Sequence, residues 1–481
     1  MFVSRYQARN NPNERQLPVR IGKRRFDALI KGKLRLEFGD EQLTSYAGLE
    51  LVRRLLKRLE FFRQLREATA RAAVGGDVSF AKVVLIVVGM LVVGAKRLRH
   101  LAYLRDDPVF LRFAGLRRAP TDRSLGRALG RMNFRTWPEL ERLSTLVARA
   151  ALDEVDAKRW TIDIDGSVLT TGLLVERAER GFNPHHRKNP SYYPILATLS
   201  QTGHVIGHRN RRGNVHDSHR SAEFLRKTLR TAREELGLKG CFELRVDSAF
   251  FQREFLNACD RARVEYAVKV PMWPWLNLRA IVKRKSERDW QWVDRRAGLQ
   301  GLFAELAVPQ WKRTERIAIY RKRTNHAPAK GRQLELFNPD DGYWEYSVVA
   351  TNKTLGLRAL WDFQAGRGVQ EKTIGELKSG YAFASIPTQT YCANTAWQKL
   401  NILAHNLMTT FQILTTATQK PRTGKQTGLF LLRSISTLRF EWLNRAARWL
   451  RPGGAPTLRL VDNDATRTTV ESIEQALEAA A

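Results

Sequence analysis

Apolar positions recur every three or four residues in "GLELVRRLLKRLEFFRQLREA" (48–68) and in "WPELERLSTLVARAAL" (137–152), the period of an amphipathic helix. Residues 41–155 therefore read as helical throughout. Between these runs, "TDRSLGRALGRMNFRTWPEL" opens on a Thr/Asp cap signal and permits a helix-turn-helix. The most apolar run, "VVLIVVGMLVVGA" (83–95), has 13 residues, too few to span a bilayer, and reads as a buried core helix.

After residue 158 the period changes to two. "RWTIDIDGSVLTT" (159–171) is a strand, and "YYPILATLS" and "HVIGHRN", joined by "QTG", form a hairpin. An amphipathic helix over 217–237, the strand "CFELRVD", the helix "SAFFQREFLNACDRA" and the strand "VEYAVKV" follow. The order β-β-β-α-β-α-β predicts a mixed sheet covered by helices, as in the ribonuclease H-like fold. Residues 271–350 carry six tryptophans (273, 275, 290, 292, 311, 344) and alternating runs such as "RIAIYRK", and predict a β-rich insertion with "RTNHAPAKGRQ" as a basic loop. A long helix is expected over 390–418, and the last thirty residues, mildly acidic, are expected to hang loose.

Charge narrows the partners. The 481 residues hold 82 Lys and Arg against 48 Asp and Glu, a formal +34, which implies a polyanion. No apolar leader opens the chain, and three scattered cysteines (241, 259, 392) suit neither a disulfide framework nor a zinc motif. A reducing, intracellular setting is expected, without a membrane.

Against that basic background the placing of the carboxylates is informative. Strand alternation in "TIDIDGS" puts Asp163 and Asp165 on one face, opposite Ile162 and Ile164. Burying them unpaired costs several kcal/mol, so a basic partner or a metal must answer them. Asp247 stands at the carboxyl end of the fourth strand, where open α/β sheets place their sites. In "GRGVQEKTIGELKSGY" (366–381), helical spacing lines up Arg367, Glu371, Gly375 and Lys378 on one stripe. Alone, that stripe is a solvated face with an ion pair worth roughly 0.3–0.5 kcal/mol. With two aspartates from two strands, it supplies the oxygen ligands of a two-metal phosphodiester site.

At these residues the chain resembles the DDE transposases of bacterial insertion sequences. The insertion sequence 4 superfamily carries Tyr-x2-Arg-x3-Glu-x6-Lys on its last catalytic helix. Arg367-x3-Glu371-x6-Lys378 has that spacing, with Gln364 in the tyrosine position. "DIDGS" resembles the first-aspartate strand and favours Asp165 over Asp163; "RVDSAFF" resembles the second-aspartate motif. From the helical N-terminus through "GNVHDSH" to "LRFEWLNRAARW", the insertion sequence 1380 branch is most similar.

The resemblance implies an α/β fold: a ribonuclease H-like catalytic core interrupted by a β-rich insertion, behind a mostly helical DNA-binding region. The expected organisation is a basic flexible arm (1–40), a helical DNA-binding domain (41–155), the first part of the core (156–270), the insertion (271–350), the second part with the catalytic helix (351–420), and a basic C-terminal region with a short acidic tail (421–481). It implies Asp165, Asp247 and Glu371 as catalytic residues holding two Mg²⁺, with Mn²⁺ able to substitute. Arg367, Lys378 and Gly375, with Arg211 and Arg212 of "RNRRGNVHDSH", are implied at the DNA. Water nicks the element's 3′ end, and the freed 3′-hydroxyl attacks target DNA. The implied partners are terminal inverted repeats and target DNA, bound by a dimer in the bacterial cytoplasm at the nucleoid. A structure-specific nuclease of the same fold and a catalytically dead DNA-binding descendant are the competing readings. His204, His208, His216 and His219 lie close in sequence, but their spacing lacks cysteines and spans a strand, a loop and a helix start, which argues against zinc; "RNRRGNVHDSH" is expected to present basic and polar side chains to DNA.

Overall fold

A computed structural model of the chain describes residues 42–172, 174–181, 183, 188–323, 344–421 and 427–479, with isolated positions between 30 and 39. The chain divides into two compact units, 1–41 and 42–481. Most of the expected arm, the loop "RTNHAPAKGRQ" beyond its first residue and part of the basic stretch 419–428 lie outside the described residues.

The helical period of the first part produces α1 (Leu49–Arg58), α2 (Phe61–Ala72), α3 (Phe80–Val93), α4 (Pro108–Ala114), α5 (Asp122–Gly130) and α6 (Thr136–Leu152). The apolar run at 83–95 is a core helix as expected: α3 is capped by Ser79, ends at Gly94 with φ +100°, and buries nearly every residue. Fully burying each such Val or Leu is worth about 1.5–3 kcal/mol. Close packing reaches its backbone, since a Cβ on Gly89 would stand 2.9 Å from the Phe113 ring. Thr121 caps α5, and α6 buries Leu140, Leu143, Val147 and Ala151 on one face while Arg142 and Arg149 stay exposed on the other.

The alternating segments form a nine-stranded sheet. Its strands are β1 (Arg159–Gly166), β2 (Ile195–Leu199), β3 (Val205–Arg209), β4 (Cys241–Val246), β5 (Glu265–Lys269), β6 (Gln291–Asp294), β7 (Leu299–Val308), β8 (Arg313–Arg323) and β9 (Trp344–Thr351). The spatial order is β3-β2-β1-β4-β5-β9-β8-β7-β6. Strand β1 is central to the first five, antiparallel to β2 and parallel to β4, and β4 is parallel to β5. Helices α7 (Ser221–Arg230) and α8 (Arg253–Arg261) make the crossovers. The segment expected as an insertion is β-rich, and its strands continue the same sheet: β9 pairs antiparallel with β5, Ala350 opposite Val268.

Past β9 come α9 (Leu357–Ala365), α10 (Gly368–Gly380) and α11 (Tyr391–Thr415). Helix α11 lies between the N-terminal helices and the sheet. Trp397 and Leu403 enter the helical core, while the Asn406 amide exchanges two hydrogen bonds with the Val205 backbone (2.8 and 3.0 Å) at the edge of β3. Most of the last thirty residues do not hang loose. Residues 464–479 form α12 (Asp464–Ala479), whose Ile473 and Leu477 join the N-terminal core and whose Glu474 pairs with Arg54 at 2.5 Å. Three- and four-residue apolar spacing, masked by the acidic composition, explains the difference. Among the described residues, no helix is long and apolar enough to cross a membrane.

Candidate active site

The two same-face aspartates of β1 are answered differently. Asp163 is fully buried and faces Arg245, its register partner on β4. Arg245 Nε and Nη2 each donate to one carboxylate oxygen at 2.7 Å, a bidentate fork, and further donors reach Ser200 Oγ (2.6 Å) and the Phe363 carbonyl (3.0 Å). Burial pushes the Asp163 carboxyl up and Arg245 opposes it.

Asp165, two residues on, reaches the open end of the sheet. It accepts from its neighbour's Gly166 N–H at 2.8 Å and from Arg367 Nη2 at 3.0 Å. Its pKa is pushed up to about 6, by burial first, with Arg367 opposing and the Asp217 and Asp247 carboxylates adding to it. Asp247 follows the end of β4, where it accepts from the Ser248 N–H at 2.7 Å and so caps a short turn. Arg367 Nη1 lies 3.7 Å from the same carboxylate. One guanidinium therefore spans carboxylates from two adjacent parallel strands.

Arg367 is placed by the break between α9 and α10. Gly366 forms that break, and a Cβ there would overlap the Arg245 guanidinium, so the internal ion pair and the helix junction are packed as one unit. Three side chains then seat α10 across the strand ends. Gln370 Nε2 donates to the Asp163 carbonyl at 3.0 Å, Lys378 Nζ to the Val168 carbonyl at 3.1 Å, and, from α9, Gln364 Nε2 to the Val246 carbonyl at 3.2 Å. Burial pulls the Lys378 ammonium below its ordinary range. Glu371, in the first turn of α10, is exposed and makes no hydrogen bond or ion pair among the described residues. A Cβ on Gly375 would meet only open space.

The loop 210–217 holds both expected arginines. Arg212 is exposed and pairs with Glu179 at 2.8 Å. Arg211 is buried, and its donors go to Asp217 (2.7 Å) and to the carbonyls of Tyr193, His216 and Asp217. In this arrangement Arg211 organises the loop, and Arg212 is the arginine left at the surface. His204 is buried and His208 half-buried; both are pulled down to about 3 by desolvation, and they bond to Thr410 and Gln398. His216 bonds to Ser218. His204 and His208 therefore have structural roles, while His216 and His219 are exposed.

Among the described residues no three His, Cys, Asp or Glu converge tightly enough to hold a metal ion. The cause is visible in the contacts, with Arg367 standing between Asp165 and Asp247 and Glu371 turned outward. The donors themselves fit a hard divalent cation. They are all carboxylate oxygens, and Asp165 and Asp247 stand close enough to share one guanidinium. Sequence reasoning missed Arg245, Gln370, Asp217 and Tyr193. For Arg245 a signal existed, because "ELRVD" alternates a charge into a strand whose neighbour carries Asp163.

Residues 26–480 match a family model described as transposase DDE domain group 1. No curated protein matches the chain. Among solved structures, a piggyBac transposase synaptic complex with hairpin DNA is similar over 75% of this chain and 74% of that one, at 12% identity and a TM-score of 0.40.

Proposed function

The chain belongs to the group 1 DDE transposase family, and from that premise we propose that it is the transposase of a bacterial insertion sequence, working at that element's terminal inverted repeats. It cleaves the DNA at the element ends and joins the freed 3′ ends to target DNA. The observation that carries this reading is the bridging of Asp165 and Asp247, from two adjacent parallel strands, by Arg367 of the segment that also bears Glu371. The order of the first five strands, with the second antiparallel, supports a ribonuclease H-like core. The Arg-x3-Glu-x6-Lys spacing supports membership of the insertion sequence 4 superfamily, and the wider pattern its 1380 branch.

Enzymes of the DDE family use divalent metal ions. Two Mg²⁺, or Mn²⁺ in their place, would activate the attacking oxygen and stabilise the leaving one when bound. Asp165, Asp247 and Glu371 supply the oxygens that hold them. Arg367 and Lys378 place positive charge beside those carboxylates and neutralise phosphate oxygens of the DNA. Gly375 keeps the surface of α10 low, so that a DNA backbone can lie against it. Arg212 meets DNA from the neighbouring loop, and Arg211 holds that loop in place. Two element ends must be brought together, which calls for a dimer on DNA, at the nucleoid of the bacterial cell.

Excision from a donor plasmid carrying the gene's own flanking DNA tests this. Wild type excises, and Glu371→Ala at matched expression binds the ends without cutting. Equal excision by both would remove Glu371 from the site. Binding without cutting by both would leave a DNA-binding protein with no catalysis.

A further inference from the structure

Close to Asp165 stands a carboxylate that the three-residue site does not use. Asp217 lies in "GNVHDSH", just before α7, with its side chain 13% exposed. Both of its oxygens are held. The Tyr193 hydroxyl donates to Oδ2 at 2.6 Å and Arg211 Nη2 to Oδ1 at 2.7 Å. The network closes on itself. Arg211 Nε donates to the Tyr193 carbonyl at 2.9 Å, the Tyr193 N–H donates to the Arg211 carbonyl at 2.9 Å, and the guanidinium lies 5.1 Å from the Tyr193 ring centre. The network presses on the end of β1, since a Cβ on Gly166 would run into Asp217 Oδ1 and the Tyr193 ring. Only glycine fits directly after Asp165, which explains the "DG" step without any need for a turn.

We propose that Asp217, locked by Tyr193 and Arg211 against Gly166, is a positioning residue for Asp165. It fixes the strand end that carries Asp165 and adds a second negative charge beside it for an incoming divalent cation. This rests on the reading of Asp165 as a metal ligand. Three features separate the arrangement from an incidental surface carboxylate: burial, full hydrogen bonding of both oxygens, and direct packing on the residue next to Asp165. Partners that orient a metal ligand commonly alter metal affinity 10–100-fold when removed.

The experiment is Mn²⁺ titration of the full-length chain without DNA, followed by the electron paramagnetic resonance of free Mn²⁺, with thermal unfolding of each variant alongside. Asp217→Asn keeps the shape and an oxygen for Arg211 but removes the charge, so it should bind Mn²⁺ about ten-fold more weakly or worse. Its unfolding midpoint should stay close to that of wild type. Tyr193→Phe removes one hydroxyl, and should weaken Mn²⁺ binding in the same direction and less. Asp217→Asn that binds Mn²⁺ as tightly as wild type, while Asp165→Asn does not bind, overturns the role of Asp217 alone. If Asp165→Asn binds Mn²⁺ like wild type, the metal-site reading fails, and this inference with it. Should Asp217→Asn unfold, Tyr193→Phe carries the test, and unchanged Mn²⁺ affinity there overturns it.

Discussion

Two aspartates, two residues apart on one face of one strand, meet opposite fates. Asp163 sits inside the sheet, fully buried, under a bidentate arginine whose other donors are also occupied. Asp165 sits at the strand's open end, shares one arginine with Asp247, and has a third carboxylate beside it. The strand period dictates that both point the same way. What differs is the neighbour. The interior position has a dedicated cation built into the adjacent strand, whereas the end position shares its arginine with Asp247 and stands where the strand opens. A saturated pair holds the fold together, and an unsaturated one can bind.

Breaking the saturated side should have the largest effect on stability. Arg245→Ala leaves Asp163 buried without a counter-charge and should cost about 3–5 kcal/mol in urea unfolding. Replacing both partners by leucine should recover much of that loss, because buried pairs are often no better than apolar packing.

The open side should show itself in pH dependence. The Asp165 carboxyl titrates near 3.8 when unfolded and about 6 when folded. Between these values the folded chain keeps a proton that the unfolded chain has released. The Asp165 contribution therefore favours the fold below about pH 4 and is lost as pH rises to about 6, a change on the order of 2–3 kcal/mol. The stability difference between wild type and Asp165→Asn, followed from pH 4 to 7 without metal, should change by that amount in that direction. A flat difference would mean that Asp165 is better neutralised than its contacts indicate.

A subtler perturbation falls between the two sides. Gly366→Ala drives a methyl into the Arg245 guanidinium and should cost about 1–3 kcal/mol, as overpacking does. It should also displace Arg367, so DNA cleavage should fall further than stability alone explains. The smallest expected change is Lys378→Met, which loses a single hydrogen bond to the Val168 carbonyl, worth about 0.5–1.5 kcal/mol. That variant should unfold nearly as wild type does while binding end DNA more weakly and with a shallower salt dependence.

Much of this was legible from local pattern. The helical run around α3, the order of the first five strands and the facing of Asp163 and Asp165 all follow from periodicity, because helix and strand periods are local properties. The partner of Asp163 was not legible, since Arg245 is 82 residues away and reaches it only through the parallel register of β1 with β4. The packing of Asp217 against Gly166 depends likewise on where a loop returns. The acidity of the C-terminal helix conceals its packing, although Ile473 and Leu477 keep the four-residue spacing that buries them. That the β-rich segment extends the core sheet is a matter of edge pairing between β5 and β9, which alternation alone does not specify.

The central claim is that Asp165, unlike Asp163, is a metal ligand. Asp165→Cys tests it most directly, because a thiolate is a poor ligand for Mg²⁺ and an acceptable one for softer ions. With a labelled DNA fragment carrying one element end, the variant should fail to cut in Mg²⁺ and regain cutting in Mn²⁺, while wild type cuts in both. Cleavage by Asp165→Cys in Mg²⁺ at the wild-type rate would contradict the account, placing the metal on other residues and making Asp165 a second structural aspartate.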